Sequence, residues 1–522
     1  MRRPARQKGA GSPRGQTSWV QSLSAPVGGW NARDPLQEMD PKDAIKLVNW
    51  FPTTTDCVLR GGNTDYASGI TGLVETLAVY NAMDGTSEMF AVDSNDVWDV
   101  SSSGAASAQS ATVTNGRFQW LNFGDGTNNY LMMFNGVDSP LYYNGSTWTS
   151  ITGASSPALT GLTTTSIIHA NEYKGRLFFI EKNSLSFWYL GAGAAGGALT
   201  EFDLSSFCKK GGYLMWMATW SFDSGNGPDD AAVFMTSEGE VIVYRGTDPS
   251  TAADWVLIGV YQLSDPLGRR SYVKFGGDLL VLTQNGVFPL SKALQRSDID
   301  NLSAVTNKIE KAFTAIAKSY GSNFGWEATQ YPVESAMVVN IPIAEGGEHK
   351  QYVMNTITKN WCEFDSWNGE CFVVYNDELY FGASTVVQKA WNGTSDDSSD
   401  IVGIGKTSFN YFGQSSQQKK ISLFRPMLQV NGNISFLTGF DIDFSDNEIT
   451  GTATYSVTSK ALWDVSYWDV GFWAAGLEVV KQWTSPTPNV GYCVSGGLKV
   501  NTSDLEIHWV ANDYVYETGG IL

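Results

Sequence analysis

The sequence predicts an all-β chain: a six- or seven-bladed β-propeller with an added β-rich platform domain. Three observations carry this reading. Seven apolar–turn–apolar units recur along the chain. Their first residues lie 35 to 57 residues apart, and a four-stranded blade takes about 40–50. Beyond about residue 400 the rhythm gives way to longer polar–apolar alternation. Composition agrees: 42% hydrophobic and 13% aromatic residues with 54 Gly exclude disorder and suit many short strands with tight turns.

Residues 1–24 read as a flexible basic arm. Arg2, Arg3, Arg6, Lys8 and Arg14 stand in a Gly/Pro/Ser-rich stretch, and no acid occurs before residue 33. No apolar run follows the basic residues, so the arm does not read as a signal peptide. The whole chain carries −19, so the part beyond these five cations carries −24. Such a body repels phosphates, which non-specific nucleic-acid binding requires Lys and Arg to hold.

Residues 25–62 lack the blade rhythm. Within DPKDAIKLVNWFP, Asp40 as N-cap, Pro41 at the first helical position and Pro52 after the end predict one short helical turn. This segment flanks the repeats as the C-terminal region does. The two are therefore expected to pack together as one platform rather than on the propeller.

Residues 63–395 hold the repeats. The units are Met89–Val100, Tyr130–Tyr143, Leu177–Leu190, Ala232–Tyr244, Leu279–Leu290, Ala336–Asn355 and Cys371–Gly382. Each places Asn, Gly, Asp or Ser between two β-branched or aromatic runs, the pattern of a hairpin. The short final interval predicts an incomplete or strand-swapped blade. Leu302, Val305, Ile309, Phe313 and Ile316 recur at three- and four-residue steps, which predicts an amphipathic helix over about 298–318. The acidic run Asp396–Asp400 reads as a solvated linker. Residues 401–522 then suit a β-sandwich or an antiparallel platform.

The residues offer no catalytic, cofactor or metal constellation. His169, His349 and His508 stand far apart, and neither a P-loop nor a Cys/His cluster occurs. The five cysteines are an odd number at wide spacing, which reads as free, mostly buried thiols suited to a reducing cytoplasm, although Cys362 and Cys371 lie close enough to meet across strands. The carboxylates of Asp441–Glu448 alternate like the start of a calcium loop but lack its Gly and distal Glu, so a solvated turn is expected. Tyr142–Trp148 keeps Gly145 and Trp148 of the sialidase Asp-box but has Tyr143 in place of the Asp. No stretch is long and apolar enough to span a membrane.

Several strings resemble one family. The opening GGWNARDPLQEMDPKDAIKLVNWFP is similar to that of tail nozzle or hub proteins of short-tailed bacteriophages, related in role to packaged-DNA stabilisation proteins. The matching positions are Gly28, Gly29, Asn31, Arg33, Asp34 and Pro35, then Asp43, Ala44, Asn49, Trp50, Phe51 and Pro52. Ser237–Ser271, Gln351–Phe372 and Tyr516–Leu522 also resemble that set, in the same order. The basic arm matches nothing in the pattern. The resemblance implies a non-enzymatic virion part without cofactor, assembled in the host cytoplasm. It implies a homohexameric ring below the portal and adaptor, through which DNA passes without specific binding. The ring would offer its sides to fibres or tailspikes. The alternative is a propeller that binds or hydrolyses glycans, as a receptor-binding virion protein or a secreted enzyme.

Overall fold

The structure is a computed structural model, and it describes residues 18–223, 228–293, 304–456 and 477–519. Among the described residues seven mainly antiparallel sheets follow one another along 63–390, the sixth as one end of a larger sheet. Their first strands are Thr76–Asn81, Gln119–Gly124, Ile167–Tyr173, Leu214–Asp223, Tyr272–Phe275, Glu327–Tyr331 and Cys371–Tyr375. Each sheet packs against the next, and the last returns to Thr76–Asn81, which closes a circle. This is a β-propeller. In the first six sheets the sequence-predicted hairpin forms the second and third strands. In the last it forms the first and second, which accounts for the short final interval. The last sheet is completed by Asn63–Ser68, which pairs antiparallel with Val387–Ala390. The chain thus fastens its own ring with a strand from the other end of the repeats.

Among the described residues the fifth sheet has three strands, and the chain at 304–306 lies beside its edge. Val305 N–H donates to Val287 O at 2.8 Å, and Thr306 Oγ1 accepts from Val287 N–H at 3.0 Å. These bonds hold 304–306 as a turn against the sheet edge, where a helix was expected. A 3-10 turn at Asn307–Ile309 leads instead into the helix Glu310–Tyr320. Residues 294–303 lie outside the described residues. Ile309, Phe313 and Ala317 bury one helix face against Leu280, Leu282, Met337 and Tyr352 of the fifth and sixth sheets.

The platform is a β-sandwich. One layer continues the sixth propeller sheet through Trp361–Phe364, Asp43–Val48, Ile401–Thr407, Val494–Thr502, Ile434–Ile442 and Gly451–Tyr455. The other contains Trp50–Pro52, Cys57–Leu59, Ile507–Thr518 and Lys419–Val430. Trp50, Leu428, Phe436, Leu498 and Trp509 fill the space between the layers, with Trp50 edge-on to Trp509 at 5.6 Å.

Three expectations are corrected here. Asp40 does not cap a helix: Asp43 N–H donates to Asp40 O at 2.9 Å, which makes a turn, and Asp43–Val48 is a strand. That strand is held between Trp361–Phe364 and Ile401–Thr407, so both of its edges are paired and local helix signals lose. The arm does not reach residue 24, because Ser18–Ser24 pairs along its whole length with Ile507–Thr518. Finally, 25–62 does not avoid the propeller. Trp50 meets the sandwich, but Trp30 lies edge-on to Tyr352 of the sixth sheet at 5.1 Å.

Candidate functional site

The residues that carry the family resemblance converge on the joint between propeller and sandwich. Gly28 and Gly29 run so close to other backbone that no side chain fits. A Cβ on Gly28 would stand 2.3 Å from Asp43 Oδ1, and one on Gly29 would stand 2.7 Å from Trp361 O with φ at +78°. Asn31 closes the loop that follows. Its Nδ2 donates to Asp34 at 2.8 Å and to Asp43 at 2.7 Å, while its Oδ1 accepts from Arg33 N–H and Asp34 N–H. Bonds from Arg33 and Asn31 hold the Asp34 carboxyl down to about 2. Lys308, just before the helix, bonds Asp43 Oδ1 and Gly28 O, each at 2.6 Å. Arg33 bonds Asn307. The loop therefore ties the helix on the propeller flank to the first sandwich strand. Pro35 follows on the same loop and accepts the backbone N–H of Glu38.

The second half of the motif builds a buried polar hub. Asn49 sits at φ +60°, a conformation Asn tolerates. Its Nδ2 donates to Val402 O, and its Oδ1 accepts from Asp365 N–H and from Arg60 Nε, all at 2.9 Å. Arg60 has a wholly buried side chain. Its two terminal nitrogens meet the two Asp396 oxygens at 2.8 and 2.6 Å, and its plane stacks 5.0 Å from the Trp367 ring centre. Phe51 packs on Phe364 and Trp391, and Pro52 O accepts from Asn355. Asp396 is thus no solvated linker residue. A buried cation needs a matched anion, and the acidic run supplies it. Sequence pattern does not mark Arg60, and it marks Asp396 only as part of an acidic run expected to be solvated. The available signal was a lone Arg between an apolar strand and two glycines.

A second hub lies inside the propeller. Arg270 donates to Glu75 O, Thr76 Oγ1, Phe118 O and Glu327, tying together the entrances of inner strands from the first, second, fifth and sixth sheets. Arg270 and Arg117 both lie over the ring of Phe324, at 5.0 and 4.5 Å. Strands joined through one guanidinium leave no duplex-wide passage along the propeller's own axis.

The remaining candidates are structural. Asp441 and Asp446 both bond Lys406, and Asp443 accepts from Tyr492 N–H and Cys493 N–H. Asn144 caps the turn before Trp148, whose ring rests on Tyr143 and Phe90. Cys57, Cys362, Cys371 and Cys493 are buried thiols, and Cys362 shares a core with Cys57 while Cys371 lies in another. Burial pushes the thiols of Cys57 and Cys362 well up. Among the described residues no three His, Cys, Asp or Glu side chains gather as metal ligands, and no helix is long and apolar enough to cross a membrane. Arg2, Arg3, Arg6, Lys8 and Arg14 lie outside the described residues.

No family model and no curated protein matches the chain. Among solved structures it is similar to Raptor of Chaetomium thermophilum, at 10% identity and TM-score 0.37, over 64% of this chain and 29% of that one. It thus spans under a third of Raptor. The WD40 domain of Pan2 from Neurospora crassa is similar at 10% identity and TM-score 0.37, over 63% of this chain and 95% of that one. Sqt1 of Saccharomyces cerevisiae is similar at 11% identity and TM-score 0.35, over 66% and 96%. Likenesses this distant carry no argument about function.

Proposed function

We propose that the chain is a structural subunit of a bacteriophage tail. In this reading six copies form a nozzle ring below the portal and adaptor, enclose the DNA ejection channel and anchor fibres or spikes. The observation that carries it is where the motif residues act. Gly28, Gly29, Asn31, Arg33, Asp34 and Asn49 are all used in fastening a propeller rigidly to a sandwich, and a ring under load needs such a joint. The charge supports it as well. A body at −24 outside the arm repels DNA on balance and lets it slide. Because Arg270 spans the propeller interior, the DNA path belongs to the ring of subunits, not to the propeller axis. The role is non-enzymatic and needs no cofactor.

Light scattering and native mass measurement on the purified full chain, with and without its adaptor, test this. A six-copy species supports the reading. A monomer that binds or cleaves a glycan, and loses that property on replacement of exposed carboxylates, overturns it in favour of a glycan-acting propeller.

A further inference from the structure

A cavity of about 350 Å³ opens beside the Arg270 hub, lined by Gln119 and Met215 of the second and fourth sheets and by turns and connections around them. Its wall holds four cations, Arg117, Lys182, Arg269 and Arg270, and no carboxylate. That is an unusual wall for a chain with 53 acids and 34 bases. Two of the cations are neutralised from behind. Arg117 pairs with Glu75 and Glu345, and Arg270 with Glu327.

The other two have no acidic partner among the described residues. Arg269 makes one bond, from Nη1 to Asn135 O at 3.3 Å, and Lys182 makes one to Gly136 O at 3.4 Å. A guanidinium has five donors, and among the described residues Arg269, which lines the cavity, uses one of them. Burial without a counter-charge lowers the Arg269 pKa. Burial of His169, helped by the Arg269 charge, holds that imidazole down to about 3, so His169 adds no charge of its own. The protein therefore maintains a poorly solvated cation that no internal group compensates, and a bound anion would relieve that cost. The rest of the wall is partly apolar, with Val137, Met215 and Phe324. The volume falls within the range of small-molecule sites, at the small end.

We propose that this cavity binds a small organic anion, with its phosphate or carboxylate group on Arg269 and Lys182 and its apolar body against Met215 and Phe324. The site is independent of the tail assignment, since it lies within one propeller.

Calorimetric titration of the full chain with phenyl phosphate, benzoate and inorganic phosphate, at constant ionic strength, tests it. The expected result is saturable one-to-one binding of phenyl phosphate below about 1 mM, with inorganic phosphate at least about tenfold weaker because it leaves the apolar wall unfilled. Arg269→Met should weaken phenyl phosphate at least about tenfold, and Lys182→Gln by about threefold. Lys420→Gln, which removes one cation from the sandwich, should change nothing. Arg269→Met should melt no lower than the parent, because it removes a half-buried charge with no acidic partner among the described residues. No saturable heat up to about 10 mM, or unchanged binding by a folded Arg269→Met variant, overturns the site. Equal affinity for inorganic phosphate overturns the organic body of the ligand.

Discussion

Arg60 and Asp396 stand 336 positions apart and form a two-point ion pair around a wholly buried guanidinium. One residue precedes the first propeller strand and the other follows the last. The pair closes the propeller chemically, next to the place where Asn63–Ser68 closes it by strand pairing. It also locks the sandwich on, because Asn49 connects Arg60 to Val402 and Asp365.

Asp396→Asn should therefore be among the most damaging single changes in the chain. It leaves a buried guanidinium with an incomplete set of acceptors, and breaking such a pair costs about 3–5 kcal/mol. Denaturant unfolding should give a loss of that order, and the transition should split as propeller and sandwich separate. A loss below about 1 kcal/mol would show that the pair is not the lock.

Gly28→Ala should destabilise through collision alone. The new Cβ would meet Asp43 Oδ1 at 2.3 Å and Lys42 O at 2.7 Å, and backbone cannot step aside as a flexible side chain can. Overpacking of this kind costs about 1–3 kcal/mol. Thermal unfolding should show the loss, and the Asp43–Lys308 bond should be the first native contact to exchange. Unchanged stability would place the loop elsewhere.

His508 gives the sandwich a pH dependence. Burial alone would lower its pKa, but bonds to Asp56 at 2.8 Å and Glu506 at 3.1 Å outweigh burial and raise it. A raised folded pKa means the protonated form is favoured in the fold. The contribution is complete below the unfolded value of about 6.5 and is lost as pH rises through the higher folded value. His508→Asn should lower the melting temperature near pH 6 and leave it unchanged near pH 9. An equal drop at both values would make the role purely steric.

The basic arm should make a salt-dependent contact. Arg2, Arg3, Arg6, Lys8 and Arg14 precede Ser18–Ser24, a strand that exposes Trp19 and Val20 at 51% and 68%. Under the proposed tail assignment, the arm's partner would be an acidic neighbouring subunit or the adaptor. Exposed pairs contribute about 0.2–1 kcal/mol each, enough to tip an assembly step. Deletion of 2–14 should slow ring or tail assembly at low salt and have little effect at high salt. Equal assembly by both forms at low salt removes the docking role.

The parts of this fold that could be read from sequence are those with local causes. Hairpins such as Leu177–Leu190 combine turn residues with alternating apolar runs, and both signals lie within fourteen positions. Inner strands such as Gln119–Gly124 are half-buried and mixed in character, so they carry no comparable pattern. Asp43–Val48 carries helix-start signals and still forms a strand, because partners at 361–364 and 401–407 pair both its edges. Asp396 reads as solvated for the same reason: its partner lies across the whole propeller. The motif residues were visible as a resemblance, but their joint-building role depends on Lys308 and Arg60, which no spacing rule connects to them.

The most direct test is imaging of the purified chain assembled with its adaptor, by two-dimensional class averaging of single particles. The account predicts a closed six-fold ring with a lumen wide enough for duplex DNA, propellers fixed to sandwiches at one angle, and acidic side chains toward the lumen. Isolated monomers at high concentration, or a ring whose lumen is lined by Lys and Arg, would contradict it.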